Sequence, residues 1–139
     1  CIRDRVFSDG TTSQKIRGVQ LDGTNNTQRI QDTDRGVWDG NSHYDVAMGP
    51  FQFIPETWRL FGVDANGDGR VSPDNIDDAA VAAGRYLCFN RRDLAVPREW
   101  QQAILSYNRS MKYVKAVYRA AYAYGEGRQP RWNYLAKQF

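Results

Sequence analysis

The stretch Ala47-Met48-Gly49-Pro50-Phe51-Gln52-Phe53-Ile54-Pro55-Glu56-Thr57-Trp58 limits what this chain can become more than any other. Proline fixes its own φ and pushes the preceding residue away from helical geometry, so Gly49-Pro50 predicts a bend. Pro55 fits the first turn of a new helix, where the N–H it lacks would have no intrahelical partner anyway. Between the two prolines, Gln52 is the single side chain offering donors and an acceptor together, and its neighbours are apolar. A glutamine so placed either satisfies buried backbone, its commoner use, or faces a polar ligand.

Upstream, residues 1–46 hold scattered apolar residues (Ile2, Val6, Phe7, Ile16, Val19, Leu21, Ile30, Val37, Trp38) with neither helical nor alternating period. Turn signals recur instead at Asp9-Gly10, Asp22-Gly23, Asp34-Arg35-Gly36 and Asp39-Gly40. So long an irregular segment predicts either a functional loop beside a cleft or the loss of an element it packs against. No strand is expected.

Downstream of the Pro55 helix, Asp64-Ala65-Asn66-Gly67-Asp68-Gly69-Arg70-Val71-Ser72-Pro73-Asp74-Asn75 matches the calcium-loop pattern. Asp64, Asn66 and Asp68 supply oxygens at places one, three and five, Gly69 turns the chain at six, and Arg70 offers its carbonyl at seven. The twelfth place carries Asn75 where a bidentate glutamate is usual, so a bound calcium ion would be held with modest affinity, helped by Asp74, Asp77 or Asp78. An Asp/Gly turn with no ion is the alternative. Residues 78–88 then form an alanine-rich helix with Asp77 or Asp78 as N-cap. Pro97 opens a helix carrying Trp100, Ala103, Ile104 and Tyr107 on one face. Ser110 caps another with Val114, Val117, Tyr118, Ala121 and Tyr122, ending at Gly125 and Gly127. Trp132, Tyr134 and Leu135 are expected to fold back on the core.

The class is therefore mainly α with long N-terminal loops, a single domain over 1–139: loop-rich 1–46, helical core 47–125, tail 126–139. A net charge of +3, with the basic residues concentrated late in the chain, suits a polyanion or serves only solubility. No apolar run could span a bilayer and no signal-peptide pattern opens the chain. Cys1 and Cys88 could pair in an exported protein, and their spacing suggests no metal site.

The run Ala47 to Pro55, with Ser106-Tyr107-Asn108 some fifty residues later, resembles the lytic transglycosylases that cut bacterial peptidoglycan, the membrane-bound B type and its actinobacterial relatives above all. The resemblance implies a lysozyme-like fold, an extracytoplasmic place (secreted or in the cell envelope), a monomer, and glycan strands of peptidoglycan as partner, with no nucleic acid. It implies that Gln52 hydrogen-bonds sugars, that Met48, Gly49 and Phe51 shape the floor beneath them, that Tyr107 orients the catalytic acid and that Asn108 holds the adjacent turn. Tyr44, Phe51, Phe53, Trp58, Tyr107 and Tyr113 would line the cleft. In this family one glutamate of raised pKa does the chemistry, upstream of the glutamine segment; here the only glutamates are Glu56, Glu99 and Glu126. The expectation is that the acid lies before Cys1, with another chain or a substitute aspartate as alternatives; among Asp32, Asp34, Asp39 and Asp45, the last is the best placed. A non-catalytic glycan-binding domain of the same fold is the rival reading. A dockerin-like scaffold needs two calcium loops, and only one is present.

Overall fold

Each Asp–Gly turn signal of the N-terminal third folds the same way: the aspartate carboxylate accepts a backbone N–H two residues on, and a glycine takes a left-handed φ. Asp9 receives Thr11, Asp22 receives Thr24, Asp34 receives Gly36 and Asp39 receives Asn41, at 2.8–3.1 Å. Gly10, Gly23, Gly36 and Gly40 all have positive φ. In this computed structural model, which describes residues 6–25 and 27–128, those turns space out short antiparallel pairings. β1 (Arg17–Gln20) pairs with β2 (Val46–Met48) with an irregular register, and single bridges join Asp22 to Arg29, Gln31 to Tyr44 and Met48 to Phe53. The expectation of no strand is thus corrected. The strands are only four and three residues long and their partner is remote in sequence, so no alternation could build up along either one.

The helices are α1 (Pro55–Phe61), α2 (Ile76–Leu87), α3 (Pro97–Tyr107) and α4 (Met111–Gly125), with a 3-10 turn at Phe89–Arg91. Pro55 and Pro97 each open their helix, and the Ser110 hydroxyl accepts the Tyr113 N–H, all as read from sequence. α2 starts two residues before the expected boundary. Its N-cap is Asn75, not Asp77 or Asp78: the Asn75 side-chain oxygen accepts both of their N–H groups, at 2.9 and 3.3 Å.

Packing divides the described residues into two units, the first ending at Tyr86 and the second beginning at Leu87. In the first, Val46, Met48, Phe53, Trp58 and Phe61 are buried with Ala79, Ala82 and Ala83. The alanine face of α2 admits close approach, as its composition predicts. Phe53 and Trp58 meet at 5.6 Å between ring centroids, Phe61 meets Tyr86 edge-on at 5.2 Å, and Arg85 closes the end of α1 by donating to the carbonyls of Phe61 and Gly62. An ion pair ties β1 to the loop before α2: Arg17 donates to both carboxylate oxygens of Asp74, at 2.7 and 3.0 Å, and to the carbonyls of Ile16 and Trp38. In the second unit α3 and α4 pack through Ala103, Ile104, Val114 and Ala116. Cys1 and the tail from 129 onward, with Trp132, Tyr134 and Leu135, lie outside the described residues; Cys88 is exposed and free. No helix among the described residues is long and apolar enough to cross a membrane.

Candidate functional site

The bend predicted at Gly49-Pro50 is a tight hairpin. Met48 and Phe53 exchange both backbone hydrogen bonds, at 2.8 and 3.0 Å, and Gly49, Pro50, Phe51 and Gln52 form the loop between them. Gly49 is fixed by its surroundings: φ is +69°, and a Cβ there would lie 1.7 Å from the Pro73 carbonyl oxygen. Its own N–H reaches the Ile16 carbonyl at 2.9 Å. The hairpin is therefore wedged between β1 and the segment leading into α2.

Gln52 stands on this wedge, exposed rather than in the core, with φ of +54°. Its amide nitrogen donates to the Gly49 carbonyl at 2.9 Å, and its amide oxygen lies over Gly18 of β1, where a Cβ would come within 3.0 Å of it. A left-handed φ on a residue other than glycine costs about 1 kcal/mol or more, so the position is held against a local preference that glycine would satisfy. Gly18 is a contributor that the sequence did not reveal, because nothing local links it to Gln52.

Around this hairpin the predicted residues separate. Met48 is fully buried beneath the loop, while Phe51 is half-buried. Phe53 and Trp58 are 3% and 2% exposed, which corrects their assignment to a sugar-facing wall: alternation along the hairpin and the first turn of α1 turn both rings inward. Tyr44 is half-buried, lies under the Arg29 guanidinium and lines a shallow polar recess with Gln31, Asp32, Ser42 and His43. Tyr107 and Asn108 belong to the second unit. Tyr107 stacks parallel to Tyr113 at 6.4 Å, and the Asn108 backbone N–H closes α3 on the Ile104 carbonyl at 2.9 Å.

Asp45, the substitute acid, is completely buried. It accepts the Thr33 N–H at 2.8 Å and the Thr33 hydroxyl at 2.8 and 3.1 Å. Burial pushes its pKa up, with the Asp39 and Asp34 charges adding to the rise and the Thr33 bonds opposing it. A raised pKa suits a proton donor, but a carboxyl with no exposed surface cannot touch a glycosidic oxygen, so Asp45 serves the fold. Oxygens of Asp32, Asp34 and Asp45 lie within 4.8 Å of one another, and each carboxylate is engaged by N–H groups of the 33–38 turn. The three glutamates are no better placed for acid chemistry: Glu56 is an exposed first-turn charge of α1, Glu99 accepts the Asp93 N–H, and Glu126 pairs with Arg128.

The loop from Asp64 folds around its own carboxylates. Asp64 accepts N–H groups from Gly67, Asp68 and Gly69 at 2.7–3.1 Å, and Asp68 accepts that of Arg70 at 2.8 Å. Asn66 donates its amide to the Asp68 carboxylate and accepts the Asp68 N–H, both at 3.1 Å, so the side-chain oxygens of Asp64, Asn66 and Asp68 are engaged within the loop. Asn75 does not fit the twelfth place, because its oxygen caps α2 and its nitrogen donates to the Asp9 carbonyl at 2.8 Å. Asp74, a candidate helper, is committed to Arg17. Buried Asp78 instead pins both ends of the loop, accepting the Ala65 and Ser72 N–H groups at 2.7 and 2.9 Å.

A family model described as "Transglycosylase SLT domain" matches residues 24–102, more than half of the chain. The match contains the Gln52 hairpin and the Asp64 loop and ends within α3, before Tyr107. No curated protein and no solved structure matches the chain. The four helices and small sheet agree with a mainly α, lysozyme-like domain, and on that match the chain belongs to the transglycosylase SLT domain family.

Proposed function

We propose that this domain binds and positions the glycan strand of peptidoglycan for lytic cleavage of the β-1,4 bond between N-acetylmuramic acid and N-acetylglucosamine. The observation that carries the reading is Gln52: an exposed amide, held left-handed on a hairpin packed against the Pro73 backbone and pinned to its own turn, inside the matched residues. Such outliers persist where the surroundings over-determine them, and they gather at ligand clamps. With one N–H spent on Gly49, the amide keeps a second N–H and its oxygen for sugar hydroxyls or an acetamido group.

In the reaction this reading assigns, a carboxylic acid protonates the glycosidic oxygen as the C1–O bond breaks. The resulting carboxylate takes the proton from the muramyl 6-hydroxyl, whose oxygen bonds to C1 and closes a 1,6-anhydro ring. None of the chain's three glutamates is placed for this. The role assigned to these residues is therefore binding, through the hairpin. Calcium in the Asp64 loop would be structural, bracing the segment that meets Gly49. An extracytoplasmic location follows from the substrate.

Digestion of purified peptidoglycan by the full-length protein should release muropeptides ending in 1,6-anhydromuramic acid, read by mass spectrometry. Reducing ends alone would make the protein a hydrolase, and adsorption without release would make it a glycan-binding domain. Gln52→Gly removes the backbone strain and the amide together, so it should leave thermal stability within about 1 kcal/mol of the parent while release and adsorption fall. Undiminished release by Gln52→Gly would remove Gln52 from the site.

A further inference from the structure

The end of α4 turns the chain back on itself. Glu126 caps the helix and Gly127 follows with φ of +67°. Two bonds close the turn: the Arg128 N–H reaches the Ala123 carbonyl at 2.8 Å, and the Gly127 N–H reaches that of Tyr124 at 3.0 Å. In this paired-bond ending a left-handed glycine stops the helix and sends the chain away from its axis. Pro130, close behind, cannot take the helix up again.

Within the same unit α3 and α4 leave a cleft of about 570 Å³, with Pro97, Trp100, Met111, Val114, Tyr118 and Tyr122 in its lining. Helical spacing predicts an inward stripe at Val114, Val117, Tyr118, Ala121 and Tyr122, yet only Val114 of these is buried; Tyr118 and Tyr122 are 59% and 54% exposed, and Met111 47%. Three rings form a run, Trp100 edge-on to Tyr118 at 6.0 Å and Tyr118 stacked with Tyr122 at 6.4 Å. A stripe of this kind is what an amphipathic helix buries against a further element.

Residues 129–139, which follow the turn, carry side chains suited to that stripe: Trp132, Tyr134, Leu135 and Phe139. From Trp132 to Ala136 they are uncharged, between Arg131 and Lys137, so that stretch brings no like charge to the cleft's Lys115 and Arg119. Length agrees as well. Trp132 and Leu135 stand about 13 and 23 Å of extended chain past Arg128, whereas Tyr122 and Tyr118 lie about 9 and 15 Å back along the helix from it. We infer that residues 132–135 dock in the α3–α4 cleft of their own chain, with Trp132 on the Tyr118–Tyr122 pair and Leu135 beyond it toward Met111. The cleft is thereby the seat of the tail. This inference is independent of the glycan reading, since it concerns the second unit and stands or falls without Gln52.

The test uses the full chain. Nuclear Overhauser spectra should show contacts from the Trp132 ring to the Tyr118 and Tyr122 rings, and in a mixture of isotope-labelled and unlabelled chains those contacts should arise within one chain. Contacts only between chains would hand the cleft to a second copy, and no contact from Trp132 or Leu135 would leave it to another protein; either result overturns the inference. Variants give an independent measure. Trp132→Ala with Leu135→Ala should speed amide hydrogen exchange in α3 and α4 about tenfold, and Tyr118→Ala should do the same. Because both remove one shared contact, all three substitutions together should fall well short of the roughly hundredfold that independent effects would give. The full product, or exchange in α3 and α4 that stays at the parent rate, would also overturn the docking.

Discussion

Replacing Gly49 by alanine tests whether the hairpin is wedged as described. Two costs add. An alanine held at φ +69° loses about 1 kcal/mol relative to glycine. The new methyl would also lie 1.7 Å from the Pro73 carbonyl oxygen, where ordinary contact begins at 3.4 Å, and the atom in the way is backbone and cannot rotate aside. The hairpin and the 72–74 segment must then part, which costs about 1–3 kcal/mol as overpacking and about 1 kcal/mol more if the Gly49–Ile16 hydrogen bond is lost. The expected loss is about 3–5 kcal/mol, a large share of the roughly 5–15 kcal/mol that holds a domain folded. Gly67→Ala supplies the control. Its φ is +74°, but nothing lies within 4 Å of the added methyl, so it should cost only about 1 kcal/mol. Urea unfolding followed by circular dichroism should separate the two midpoints by about 2 M for a slope near 1.5 kcal/mol/M. Coincident midpoints would show that the hairpin does not bear on the Pro73 backbone, and the rigidity claimed for Gln52 would fall with it.

Three further outcomes concern the loop and the carboxylates. Asp68→Ala should lower the melting temperature when calcium is present and change little in chelator, since an ion that binds only the folded chain adds stability in proportion to its occupancy; equal loss in both conditions would exclude the ion. In acid, Asp22 and Asp45 act in opposite senses. The Thr24 hydroxyl and N–H hold Asp22 down at about 2 against an ordinary 3.8, so its contribution is present above 3.8 and lost as pH falls toward 2; Asp22→Asn should flatten the fall in melting temperature over that interval. Burial raises Asp45, so its contribution is full below 3.8 and is lost as pH rises through its folded pKa; carboxyl chemical shifts followed by NMR should show it titrating after the other aspartates, and an ordinary midpoint would contradict its burial.

Local chemistry was enough to read some of this protein from its sequence. Proline at a helix start, a serine cap at Ser110 and aspartate–glycine turns work within four residues of chain, so their geometry is written where they stand. The Gly49-Pro50 bend is legible for the same reason. What the tertiary structure alone decided is which groups those local pieces leave open. Gln52 is exposed and Phe53, its neighbour, is buried because the hairpin lies against β1, more than thirty residues upstream. Asn75 has the right place in the calcium-loop pattern, but its oxygen goes to α2 and its nitrogen to Asp9, 66 residues away. The tyrosines of α4 have core spacing and an open cleft, since periodicity marks a shared face and says nothing about whether another element covers it. Long-range partners choose among the bonds a side chain can make, and that choice has no trace in the residues on either side.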